Sequence, residues 1–270
     1  MPDLSYLIQS YLCTKPLLYR QLLLWKGKSN FYKAIYLSLV KSGDTIFDIG
    51  ANVGYYSWHF SHIAGRTGEV YAFEPVPDTY TALDQAINQN YRLKNVRLIN
   101  KAVGEKSEVR EIHSPANHQQ ASLGTLTAGS WLDSPVMSYP VSVISIDDYV
   151  KENSVTKLDF IKLDTEGYEL MTLKGAVQTL TKLSPILCLQ LCSIWFEDCG
   201  YCAADLIPIL EATGYQHFYL AQDEIYKLKN PHQQLGKDRF AGIAKLVCAT
   251  SQKHSKRLNE LDVLSRKIKR

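Results

Sequence analysis

From Thr45 onward the chain alternates between two periods. Thr45-Ile-Phe-Asp-Ile49 is a short β-like run, Gly50-Ala-Asn-Val-Gly54 is a turn, and Tyr55 to Ile63 carries an apolar helical face. Glu69-Val-Tyr-Ala-Phe73 reads as a second strand, and Asn95 to Ile99 as a third. Between them Pro77 to Gln89 reads as a helix, with Pro77 suited to its first turn. Such alternation predicts a doubly wound α/β domain with a mostly parallel sheet. The rhythm lapses over 106–143, where short β-like pieces (Val109 to His113, Pro140 to Ile144) lie among Gly, Ser and Pro. An inserted β-hairpin or lid is expected there. Alternation resumes with strands at Leu158 to Leu163 and Pro185 to Leu191 and helices at Tyr168 to Leu180 and Ala203 to Ala212. Two late strands, Tyr215 to Leu220 and Arg239 to Val247, complete the domain, taken as 43–250.

Both ends differ from this body. Residues 1–42 read as a helical extension: Leu4, Leu7, Ile8, Tyr11 and Leu12 mark one face, and Leu17, Leu18, Leu22 and Leu23 another, divided by Pro16. A third helix runs from Phe31 to Val40. These faces are expected to pack on the domain; Trp25 and nearby lysines make a membrane-surface helix the alternative. From Lys253 to Arg270 there are seven Lys/Arg against two Asp/Glu, while the other 252 residues carry 23 basic and 25 acidic side chains. The basic tail, 251–270, is expected to be a solvated, frayed end with at most weak contact to an anionic membrane surface. The domain's slight negative charge, without interleaved aromatic and basic residues, argues against a nucleic-acid partner.

With 46% hydrophobic and 21% charged residues, the chain is neither disordered nor a disulfide-stapled miniprotein. No uncharged apolar run reaches the roughly 18 residues of a membrane span. No secretory leader is read in the first twenty residues, so the six cysteines are expected as reduced thiols and the location as cytoplasmic. Cys199-Gly-Tyr-Cys202 has the spacing of a zinc or redox pair. Cys188 and Cys192, four apart along a strand, would stand about 13 Å apart, too far to share a tetrahedral ion. Buried thiols are expected, and no metal site.

Three strand ends carry the chemical signal. Phe47-Asp48-Ile49-Gly50-Ala51-Asn52-Val53-Gly54 ends a strand in an acid and a glycine turn and opens a helix, whose free N–H groups would favour an anionic ligand group. A dinucleotide loop needs G-x-G-x-x-G, and Asn52 breaks that fingerprint. Glu74 follows the second strand, where an acid can accept from both ribose hydroxyls. Phe160-Ile-Lys-Leu-Asp164-Thr-Glu166-Gly-Tyr-Glu169 puts three acids at a further strand end. A helix dipole would account for one of them.

Together these pieces resemble the FkbM family of class I methyltransferases that use S-adenosylmethionine. The matching segments are FDIGANVG (47–54), AFEPVP (72–77), NKAVGE (100–105), SIDDYV (145–150) and DFIKLDTEGYELMTLKGA (159–176), in the family's order. The resemblance implies a Rossmann-like fold and methylation of hydroxyl groups, with a sugar, glycan or polyketide-type acceptor. It implies that Gly50, Ala51, Asn52 and Gly54 hold the methionine end, with Asp48 shaping the loop. Glu74 would bind the ribose, Asn100 to Ala102 would face the adenine, and Asp164 would sit near the cofactor's amino group or the acceptor. The family often has a glutamate where this chain has Gln190. That departure speaks against a metal-assisted or full acid-cluster mechanism. Asp164 and Glu166 are assigned to acceptor positioning, base work or a divalent ion, because a carboxylate on the sulfonium would favour the ground state. His113 and His118 are candidate bases in the inserted region; His59 and His62, expected on outer helical turns, are poorer ones. The competing readings are a nicotinamide- or nucleotide-sugar-dependent oxidoreductase and a methyltransferase acting on RNA or protein.

Overall fold

A computed structural model describes residues 4–25, 31–115, 136–222, 224–237 and 239–268. In chain order the elements are α1 (Leu4–Cys13), α2 (Pro16–Trp25), α3 (Phe31–Leu39), β1 (Thr45–Ile49), α4 (Tyr55–Ala64), β2 (Glu69–Phe73), α5 (Pro77–Asp84) and β3 (Val96–Ile99). Then come β4 (Ala102–Gly104), β5 (Glu108–Pro115), β6 (Val136–Ser145), α6 (Ile146–Glu152), β7 (Phe160–Leu163), α7 (Glu169–Lys174), α8 (Val177–Leu183) and β8 (Ile186–Cys192). The last are α9 (Ser193–Asp198), α10 (Ile207–Ala212), β9 (His217–Ala221), β10 (Ile225–Lys227), α11 (Pro231–Gln234), β11 (Ile243–Ala249) and α12 (Ser251–Ile268).

The main sheet has eight strands in the order β10-β9-β11-β8-β7-β1-β2-β3. Strands β3, β2, β1, β7 and β8 are parallel, and β11 runs antiparallel between β8 and β9. This is a Rossmann-like, doubly wound sheet in which β11 and the edge strand β10 run against the other strands. Alternation along each strand divides the core in two. Phe47, Ile161, Leu187 and Leu189 face one layer of helices; Ile46, Phe160, Ile186 and Cys188 face the other. Helix α3 fills the second layer, where the Tyr36 ring meets Phe60 and Phe160 edge-on. Strand β1 sits centrally with β2 on one side and β7 on the other, so the chain reverses its sheet direction there. Ligand crevices of open α/β sheets form at that point, outside the carboxyl ends of the strands.

The expected hairpin is present. Strands β5 and β6 pair antiparallel, and β4 joins β6 to make a separate three-stranded sheet. The single helix expected over 168–180 is instead two, because the Asp147 carboxylate accepts N–H bonds from Gln178 and Thr179 and so caps a new start.

The two ends depart further from expectation. The tail is no frayed end: Leu258, Leu261 and Leu264 recur at helical spacing and are buried in the core. Arg257 holds buried Asp44 with two 2.8 Å bonds, and Lys253 Nζ donates to the carbonyls of Leu158 and Leu183. At the other end, Tyr19 and Leu23 bury one face of α2 and Cys13 anchors α1, while the apolar residues marked by the sequence period, Leu7, Ile8, Tyr11, Leu17 and Leu18, point outward. Four cysteines are buried thiols, Cys199 and Cys202 are half-buried, and none of the six is in a disulfide.

Removing Arg257 would leave the Asp44 carboxylate enclosed without its cation. Arg257→Ala is therefore expected to cost about 3 kcal/mol in urea unfolding. A loss within experimental error of zero would return the tail to the frayed state.

Candidate active site

The β1–α4 turn is built by close approach. Gly50 has φ +73°, and a Cβ there would lie 1.9 Å from the Asp164 carbonyl oxygen, so only glycine lets the turn close against the end of β7. Gly50 and Ala51 donate to the Phe73 carbonyl, and the N–H of Asn52 donates to Glu74 Oε2 at 2.9 Å. Val53 N–H goes to the Asn52 side chain, and Gly54 N–H to the Ala51 carbonyl. The amides of residues 50–54 are thus spent within the chain.

Lys162 underlies the turn. Its Nζ donates to the Gly50 carbonyl at 2.8 Å and lies 3.2 Å from Asp48 Oδ1 and 3.7 Å from Asp164 Oδ2. Burial alone would lower its pKa, but the charges of Asp48 and Asp164 outweigh that and keep the ammonium charged. Ser57 Oγ closes the other Asp48 oxygen at 2.6 Å.

A cavity of about 340 Å³ opens above these groups. Its wall includes Gly50, Ala51 and Asn52 from β1, Glu74 from β2, Ala102 beyond β3, and Asp164 and Glu166 after β7. Lys101, inside the stretch 100–102 expected there, also lines it, as do Tyr55, Tyr56, Ile112 and Tyr168, which the sequence did not single out for it.

The carboxylates differ in state. Burial raises Glu74 to about 7, while the N–H bonds from Val76 and Asn52 oppose it. Asp164 would also rise by burial, yet the charges of Lys245 and Lys162 prevail and hold it below the usual carboxylate range. Glu166 has φ +54°, uncommon for a side chain of its kind, and burial together with Asp164 and Glu169 lifts it to about 9. Glu169 is different: it is fully buried and accepts from the N–H groups of Thr165 and Gly167, so the ordinary helix-start reading accounts for this acid.

Several expected residues lie elsewhere. Asp48 is sealed beneath the turn and does not reach the cavity. Gly54 also stays out of the wall; a Cβ there would strike Leu83 Cδ1 at 2.7 Å, so the second glycine serves helix packing. Asn100 turns its amide to the carbonyls of Glu74 and Pro75, and its neighbours Lys101 and Ala102 line the cavity instead. His113 meets Ser138 Oγ; Ile112 faces the cavity, and strand alternation turns the next residue the other way. His118 lies outside the described residues. His59, expected on an outer turn, is buried, and burial lowers its pKa to about 3.

Lys245 on β11 is the residue the sequence reading missed. Its Nζ donates to Asp164 Oδ2 at 3.2 Å and to Gln190 Oε1. Gln190 thus serves as a neutral acceptor for a cation already shared with Asp164. Among the described residues, no group of three His, Cys, Asp or Glu side chains is placed to hold a metal ion.

A sequence model of the methyltransferase FkbM domain matches residues 48–217. The chain belongs to the FkbM methyltransferase family. The chain is similar to the hexuronic acid methyltransferase AglP of Haloferax volcanii, 26% identical over 153 residues, or 55% of this chain and 56% of that protein. The chain thus matches little more than half the length of that relative. Among solved structures, the FkbM methyltransferase of Methylobacillus flagellatus KT aligns at TM-score 0.45 and 18% identity, covering 76% of this chain and 44% of that one. The fibrillarin of Aeropyrum pernix, solved with natively bound S-adenosyl-L-methionine, aligns at TM-score 0.40 and 13% identity over 78% of this chain and 68% of that one.

Removing the buried Lys162 charge would leave Asp48 and the Gly50 carbonyl enclosed without a donor between them. Lys162→Met is expected to lower unfolding stability by about 3–5 kcal/mol. A loss below about 1 kcal/mol, no more than an exposed pair is worth, would show that the lysine does not tie the turn.

Proposed function

We propose that the cavity binds S-adenosylmethionine and that this methyltransferase transfers the methyl group to a hydroxyl of a sugar, most specifically of a hexuronic acid-containing glycan. The observation that carries the cofactor reading is the pair of acids flanking the β1 turn, Glu74 after β2 and Asp164 after β7, both in one cavity wall. The residues suit the ligand. Asp164 Oδ1 and Thr165 Oγ1 are enclosed without a hydrogen-bond partner among the described residues, and both can accept from an ammonium. Each Glu74 oxygen takes one backbone N–H and keeps acceptor capacity for a ribose hydroxyl. The first turn of α4, at Tyr55 and Tyr56, lines the cavity, and its N–H groups would suit the ligand carboxylate. The bound cofactor supplies an electrophilic methyl on a sulfonium. The chain supplies geometry: most of the acceleration open to it lies in holding the acceptor oxygen in line with that methyl.

The charge states favour positioning over base work for the two acids. Asp164 is held ionised by two lysines, which makes it a weak base. Glu166, raised to about 9 by burial and by Asp164 and Glu169, would be protonated at neutral pH and able to donate a hydrogen bond to the acceptor. The acceptor class rests on family membership and on the sugar acid in the relative's name.

Two measurements test this reading. Glu74, raised to about 7, contributes stability that is complete below its unfolded value of 4.5 and is lost as pH rises through 7. Ribose hydroxyls donate to its ionised form, so S-adenosylhomocysteine should bind about tenfold more tightly at pH 8 than at pH 6 by calorimetry. In Glu74→Gln the affinity should be lower and that difference should vanish; pH-independent binding to the unsubstituted protein would refute the ribose assignment. For the transfer itself, methyl-labelled cofactor incubated with hexuronic acid-containing glycans should give an alkali-stable methyl ether. An alkali-labile label would mean a carboxyl acceptor. For Glu166, the amide mimic Glu166→Gln should keep activity within about threefold at pH 7, whereas Glu166→Ala should lose at least about tenfold. Equal losses in both would restore a role for the ionised carboxylate.

A further inference from the structure

We propose that the outward face of α1 and α2 is a docking surface for an anionic lipid bilayer. The two helices expose large apolar side chains side by side: Leu7, Ile8 and Tyr11 on α1, and Leu17, Leu18 and Trp25 on α2, with Tyr11 62% and Trp25 84% exposed. Each set lies within one face at helical spacing, so the side chains form two adjacent stripes. The opposite face of α2 is fastened to the domain. Tyr19 and Leu23 are buried, and Arg20 NH1 donates to Ser38 Oγ at 2.9 Å and lies 3.3 Å from Glu260. The exposed face is therefore a fixed feature of the fold.

Charge selects the occupant. From Leu4 to Gly43 there is no Asp or Glu, and there are six basic residues: Lys15, Arg20, Lys26, Lys28, Lys33 and Lys41. Arg20 and Lys41 are paired with Glu260 of α12, whereas Lys15, between the two helices, is exposed. A symmetric dimer would bring this cationic face against its own copy. An anionic lipid surface instead accepts both components, burying the apolar stripe at the acyl boundary and leaving Lys15 at the phosphates. Trp25 at the end of the stripe suits the headgroup level. Among the described residues no helix is long and apolar enough to cross a membrane, so this contact lies in the surface plane.

The surface is separate from the transfer site, and its test does not depend on the acceptor. The full chain is sedimented with phosphatidylcholine vesicles and with mixed phosphatidylcholine–phosphatidylglycerol vesicles. Binding to the anionic vesicles is expected to be at least about tenfold tighter than to the neutral ones. The triple variant Leu17→Ser, Leu18→Ser, Trp25→Ser should lose at least about tenfold in that binding while keeping its unfolding midpoint and its affinity for S-adenosylhomocysteine. Equal binding to both vesicles, no binding to either, or undiminished binding by the variant would each overturn the proposal. So would a concentration-dependent dimer, seen by analytical ultracentrifugation, that the variant dissolves.

Discussion

One buried ammonium organises the carboxyl edge of the sheet. Lys162 lies on β7 and bonds to the Gly50 carbonyl of the neighbouring turn, with Asp48 and Asp164 on either side of its charge. A lysine enclosed in this way is costly unless its donors and charge are answered. Here they are answered by groups from two strands, so the ion cluster also fixes how β1 and β7 end. The turn can take this shape only because position 50 has no side chain to meet the Asp164 carbonyl. The cavity wall is a consequence of that fit.

From the same cluster follows the division of labour among the acids. Two lysines keep Asp164 ionised, and its charge in turn helps keep Glu166 protonated a short distance along the wall. Glu74 stands across the turn, and burial lifts it to about 7 against two main-chain N–H bonds and the charge of Lys162. Three carboxyl groups in one cavity thus offer an ionised acceptor, a neutral donor and a titrating acceptor. The ammonium, diol and alcohol of the proposed ligands could use each of them.

The parts legible in the sequence were those set by local chain direction. Asp48, Gly50, Glu74 and Asp164 each close a strand in an alternating pattern, and strand ends gather at one edge of a parallel sheet. Parts that depend on distant pairing were not legible. Lys245 reaches Asp164 from 81 residues away, because β11 turns antiparallel beside β8, an order no local period reveals. His113 was misplaced by parity: the strand was recognised, but not which of its faces would meet the cavity. Composition misled at α12, where the many Lys and Arg residues obscured the Leu258, Leu261 and Leu264 stripe. At α1 and α2 the apolar period was read correctly and its direction was not, because these helices are apolar on more than one face and the core takes only one of them.

The central claim is that the Lys162-tied strand ends form a cofactor cradle. A crystal structure of the protein with S-adenosylhomocysteine tests it most directly. The ribose hydroxyls should lie within hydrogen-bond reach of Glu74, and the amino group beside Asp164 Oδ1, with Lys162 still on the Gly50 carbonyl. A ligand bound elsewhere, or one in this cavity that leaves both acids untouched, would contradict the account.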